Sequence, residues 1–129
     1  MALKTFFLSW GLVFFSALLD SYAAYVVKTK FNELGAIEYH SFSGFVDYIM
    51  KFVRSPWLLT ALVAFVTAPA LWFLALSKID LSIAYPVLVG FHLLFILVFA
   101  IGMIGERMTV YKLIGTVLVL SSLYFFYKK

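Results

Sequence analysis

Two ionisable residues interrupt long apolar stretches of this chain: Asp20, within the run Thr5 to Val27, and His92, near the middle of the run Leu81 to Gly105. A carboxylate at membrane depth costs about 2.5–3.5 kcal/mol on insertion scales, so it is expected to face a cavity, a partner or a substrate. Ser9, Ser16, Asp20 and Ala24 follow one another at steps of seven, four and four, which places them on one helix face. Lys28 comes eight residues after Asp20, near the same face. A small, polar stripe of this kind suits a helix that lines a cavity or meets another helix closely. Hydrocarbon surroundings disfavour a charged carboxylate unless a cation neutralises it, which is what a group trading a proton for a cationic substrate requires. The structural alternative is an aspartate hydrated near the interface or pinned by Lys28. Around His92, Tyr85, Leu88 and Ile96 share a helix face. An imidazole there can relay protons, bond a polar substrate group, or tie two helices together.

Other chemistries find no support. Cysteine is absent, which removes a disulfide framework and thiolate metal sites. The second histidine, His40, lies in a connection rather than a span, so no metal or other cofactor is expected. No nucleophile, base and acid can be assembled into a triad, and no enzymatic activity is expected. The net charge of +4 comes from scattered lysines and arginines rather than a basic stripe, which argues against nucleic acid as a partner. Lysines flanking membrane spans account for it.

The elements that must position these residues follow from composition. Of 129 residues, 65% are apolar and 12% charged, with a mean hydropathy of +1.07. A chain this short cannot hide that much apolar surface in one water-soluble core. It is expected to be an all-α membrane protein with its apolar side chains facing lipid. Four runs have the roughly 20-residue length of a membrane-crossing helix: residues 5–27, 56–76, 81–105 and 108–127. Ser55 and Pro56 suit a helix start, Pro69 is expected to kink the second span, and Gly105 suits the end of the third. Asp80 or Ser82 is a candidate cap for the third span. Lys112 is expected to snorkel, and Tyr124, Tyr127, Lys128 and Lys129 to anchor the far end. The first run is expected to be a retained span rather than a cleaved signal segment, because it is long and carries Asp20 beside the only cleavage-like site.

The connections are unequal. Residues 77–80 and 106–108 are tight, so the spans they join are antiparallel neighbours. The stretch 28–55 is long, and within it Phe42, Phe45, Val46, Ile49, Phe52 and Val53 fall on one helical face, with Asp47, Lys51 and Arg54 opposite. This predicts an amphipathic helix over about 42–54, in the headgroup plane or stacked on the second span. Six basic residues flank the first and third connections against four on the other side, a small positive-inside bias for termini outside. So slight a bias also fits dual insertion or a partner of opposite orientation.

The run Leu76 to Pro86, together with Gly105-Glu106-Arg107-Met108-Thr109 and Gly115, resembles the drug/metabolite transporter superfamily. Two branches are similar. The small multidrug resistance exporters are four-span proteins acting as antiparallel dimers, with a span-one acid followed eight residues later by lysine. Asp20 and Lys28 take those places, the family acid being usually glutamate; Tyr85 falls on a pocket tyrosine, and Leu88 stands where that branch has tryptophan. Subunits of aminoarabinose-lipid flippases share Ala84-Tyr85-Pro86 and the longer first connection ending in Pro56-Trp57, but usually lack the span-one acid. The resemblance implies a homodimer, or a heterodimer with a related small subunit, forming an eight-helix alternating-access transporter in a bacterial-type inner membrane. Its leading implied activity is flipping of a polyprenyl-phosphate-linked sugar or similar amphipathic metabolite, with Asp20, Tyr85, His92, Ser16 and Lys28 binding substrate or protons. The alternatives are proton-coupled export of small organic cations and a non-transporting subunit that scaffolds a glycolipid enzyme.

Overall fold

A computed structural model of the protein describes residues 2–37 and 40–128. Among these residues the structure is all helical: α1 (Ala2–Leu34), α2 (Phe42–Val53), α3 (Pro56–Leu76), α4 (Leu81–Phe99) and α5 (Val110–Tyr127). Four of them, α1, α3, α4 with its continuation to Ile104, and α5, are long and apolar enough to cross a membrane. Lys129, part of the expected far-end anchor, lies outside the described residues.

Helix α1 is longer than a span needs. Its 33 residues rise about 50 Å, against a hydrocarbon core of about 30 Å. The last turns are polar, with Lys30 Nζ on Glu33 Oε2 at 2.7 Å, and Gly35 at φ +83° ends the helix where a side chain would strain the backbone. Asp20 lies about 12 Å deeper along the axis than Lys28.

The bundle is held by small residues. α3 turns Ala61, Ala64, Ala68 and Ala75 inward, and α1 answers with Ser9, Val13, Ser16 and Ala17. Short side chains let the two backbones approach, which is how helices associate where lipid supplies no hydrophobic drive. Ser16 Oγ donates to the Ala68 carbonyl at 2.8 Å, and Tyr22 Oη meets Thr60 Oγ1 at 2.9 Å, so α1 and α3 run antiparallel. Thr60 already gives its proton to the Trp57 carbonyl at 2.6 Å, which makes Tyr22 the donor. α4 packs on α1 in the parallel sense: Phe14 meets Phe91 and Phe95 at 5.3 and 5.1 Å, and Tyr25 stacks on Phe99 at 5.2 Å. Pro69 lies within α3, which stays one helix through it.

The far end of α4 departs from regular geometry. Ala100–Ile104 form a π-turn, and Gly105, at φ +82°, closes it with its N–H on the Ala100 carbonyl. The chain is then extended until Thr109, whose hydroxyl accepts from the Lys112 N–H at 3.2 Å and caps α5. α5 therefore starts two residues later than the hydropathy run. It touches α4 at Gly90, where an added Cβ would come to 2.5 Å from Leu123 Cδ1. Thr116 is its only buried residue.

Helix α2 is separate from α3, with Arg54 and Ser55 between them. Ser41 caps it by accepting from the Gly44 N–H at 3.1 Å. Tyr48 Oη donates to the Gly35 carbonyl at 2.7 Å and Phe52 packs on Phe31 at 5.4 Å, tying it to the end of α1. Phe42, Phe45, Val46, Ile49 and Val53 remain exposed.

Candidate functional site

The acid and the imidazole meet. His92 Nε2 lies 3.2 Å from Asp20 Oδ2, joining α4 to α1 across the bundle. The distance suits an ion pair, but the two groups are not aligned for a hydrogen bond, and Nε2 is buried without one. The pair sits in a gap between two buried clusters. One gathers Val13 and Ala17 of α1 with Ala75 and Leu88; the other gathers Ala23 and Val26 with Ala61 and Ala64. Regular apolar packing is interrupted where the charge stands.

Asp20 has two faces. One is turned to His92. The other opens on a groove of about 530 Å³ lined by Ala24 and Val27 of α1, Leu58, Leu62 and Phe65 of α3, and Ile96 of α4. Val53 of α2 also lines it. Among the described residues, Asp20 is the only charged one lining it. The Asp20 side chain is 42% exposed and that of His92 26%, and His92 does not line the groove. The carboxylate thus stands between an apolar trough and a sheltered imidazole. Such an arrangement has the chemistry to hold a cation carrying an apolar body, the body in the trough and the charge beside the carboxylate.

The other sequence-derived candidates lie apart from this contact. Ser16 is buried one turn before Asp20, and its proton is committed to the Ala68 carbonyl. Tyr85 is exposed near the start of α4 and packs edge-on against Trp72 at 6.3 Å. Lys28 is exposed, two turns beyond Asp20, and makes no ion pair with another described residue. Lys112 turns back on the α4–α5 connection, donating to the Arg107 carbonyl at 3.1 Å and standing 3.8 Å from Glu106. One residue escaped the sequence reading. Ser21 lines the groove beside Asp20, is 1% exposed, and its Oγ lacks a hydrogen-bond partner. It lies off the Ser9–Ser16–Asp20 stripe, so periodicity gave no reason to notice it. No group of three metal-ligating side chains occurs among the described residues.

Four apolar helices around an acid–imidazole contact, with a trough open along the bundle, define a small multi-pass membrane protein rather than a soluble domain. The Small Multidrug Resistance protein family matches residues 42–119, from the start of α2 into α5. That is 78 of 129 residues, and the chain belongs to this family of small multidrug-type membrane transporters. The matched segment contains Tyr85 and His92 and excludes α1 with Asp20. No curated protein and no solved structure matches the chain.

Proposed function

We propose that the protein is a proton-coupled exporter of amphipathic organic cations, working in a bacterial-type inner membrane with Asp20 as the cation-binding group. The single observation that carries this is a carboxylate, paired to an imidazole, as the only charge in an apolar groove. The lining, aliphatic apart from Phe65, favours cations with an alkyl body. Access alternates between the two membrane sides as helices rock around a midplane site. The groove is open, and α5 buries only Thr116, so a second copy or a related small subunit is expected to complete the transporter. Tyr85 and Lys28 lie far enough along their helices to meet substrate only during entry or exit.

Proteoliposomes holding the protein should release protons on addition of alkylamines, alkylguanidinium or quaternary ammonium ions. Asp20→Asn should abolish the release and Asp20→Glu retain it. A wild type that releases no proton with any of them rules the exporter out.

Flipping of a lipid-linked sugar is the second reading. It is favoured by the reach of the groove to Val53 of α2, which gives an acyl tail a path to the membrane surface. A phosphate beside Asp20 would be repelled, so the sugar would have to bring an amine. Transfer of a fluorescent polyprenyl-phosphate amino sugar between leaflets, dependent on the protein and absent with the neutral sugar, would support this reading over the first.

A further inference from the structure

Resting on the exporter reading, we infer that the proton exchanged for the cation is seated on His92, behind Asp20, and that His92 never touches the substrate. Two observations converge. Nε2 is buried, 3.2 Å from the carboxylate and without a hydrogen-bond partner, so the imidazole has one ionic neighbour. The carboxylate's other face lines the groove, from which His92 is absent. A cation arriving through the groove therefore meets Asp20, while His92 stays outside the lining.

The exchange balances in charge. With the site empty, an imidazolium at His92 and a carboxylate at Asp20 sum to zero. A cation in the groove takes the carboxylate, and two positive charges then share one negative charge. The imidazolium N–H bond breaks, its electron pair stays on nitrogen, and the proton leaves to water. The site is again neutral, now with the substrate as the counter-charge. Imidazole changes charge between about pH 5 and 8, where a hydrated carboxyl is already ionised. His92 would thus supply the exchangeable proton while Asp20 holds the cation.

Among the described residues, no other ionisable group competes for this role. From α1, Tyr22 and Tyr25 follow Asp20, bonded to Thr60 and stacked on Phe99 respectively. α3 carries no ionisable side chain. On α5, Lys112 is engaged with Glu106 and the Arg107 carbonyl at one end, Tyr111 is exposed beside it, and Tyr124 and Tyr127 are exposed at the other. Tyr85 of α4 itself lies two turns away against Trp72.

The test uses the full-length protein and dodecyltrimethylammonium, with binding calorimetry in two buffers of different ionisation enthalpy to count protons. In the wild type, affinity should fall as pH drops through the histidine range, by up to about tenfold per unit, with close to one proton released per cation. His92→Gln and His92→Asn should still bind the cation at pH 8, because Asp20 is kept. They should show flat affinity across the pH range in which the wild type varies, and almost no proton release. If these variants keep the wild-type pH dependence, the proton sits on Asp20 and the inference is overturned. The ring nitrogens of His92, followed by nitrogen NMR, give a readout that needs no substrate. Their titration should move in Asp20→Asn; an unmoved curve also overturns the inference. A wild type that binds no cation, with a His92 titration that still answers to Asp20, removes the exporter reading and leaves the pair as the site's proton holder.

Discussion

Ser16 and Ala68 are joined across the α1–α3 contact, hydroxyl to carbonyl, at 2.8 Å, one turn before Asp20. The bond fixes the register of α1 against α3. A polar residue on the Asp20 stripe thereby serves helix packing, since its proton is spent on a neighbouring backbone.

Ser16→Ala should lower stability by about 0.5–1.5 kcal/mol, the net contribution of one such bond. Equilibrium unfolding in mixed micelles measures it. Proton release per bound cation should be unchanged in the folded fraction, because the acid–imidazole contact is kept.

Ala68 is 2% exposed and leaves no space for a larger side chain. Ala68→Leu should cost about 1–3 kcal/mol or more by forcing α1 and α3 apart. The same measurement, with loss of the Tyr22–Thr60 contact reported by tyrosine fluorescence, checks it.

Ser21→Ala should leave the stability of the empty protein equal or raise it by roughly 1 kcal/mol, because it deletes a buried hydroxyl that bonds nothing. If that hydroxyl serves the ligand, the variant should weaken binding of primary alkylamines, which can donate hydrogen bonds, more than binding of quaternary ammonium ions, which cannot.

Ala24→Phe should fill the groove beside Asp20. Long-chain ammonium ions should lose affinity by about tenfold or more, while tetramethylammonium, with no tail to displace, should be affected least. Each methylene excluded from an apolar contact is worth about 0.8 kcal/mol, so the loss should grow with chain length. Calorimetric affinities across a homologous alkyl series provide the check.

Tyr48→Phe removes the bond from α2 to the Gly35 carbonyl. Backbone amides of α2 should exchange with deuterium faster, by about fivefold for a net loss near 1 kcal/mol, while those of α1 and α3 keep their rates.

Much of the architecture was legible in the chain alone. Four apolar runs of spanning length, separated by polar connections, leave few ways to fold in lipid, because backbone polar groups must be satisfied within each span. Period-3.6 patterning over residues 42–54 likewise announced a helix with one apolar face. The ends were less legible. The π-turn at Ala100–Ile104 and the delayed start of α5 depend on which carbonyls find donors, and hydropathy carries no such information.

At the site, composition and periodicity singled out Asp20 and His92 separately, as ionisable groups at depth in different spans. Local spacing offered Lys28 as the partner of the acid, because helical neighbours are all that a sequence period can see. The closer cation source lies 72 positions away, on α4. That contact depends on α4 lying beside α1 in the parallel sense, with small residues on α3 setting the approach, and the same packing opens the trough beside Asp20. Residue types determined that the chain spans a membrane as helices and that an acid and an imidazole sit within it. Only the tertiary structure decided that they face each other, because the register of one helix against another is set by side-chain packing between them and leaves no period in either.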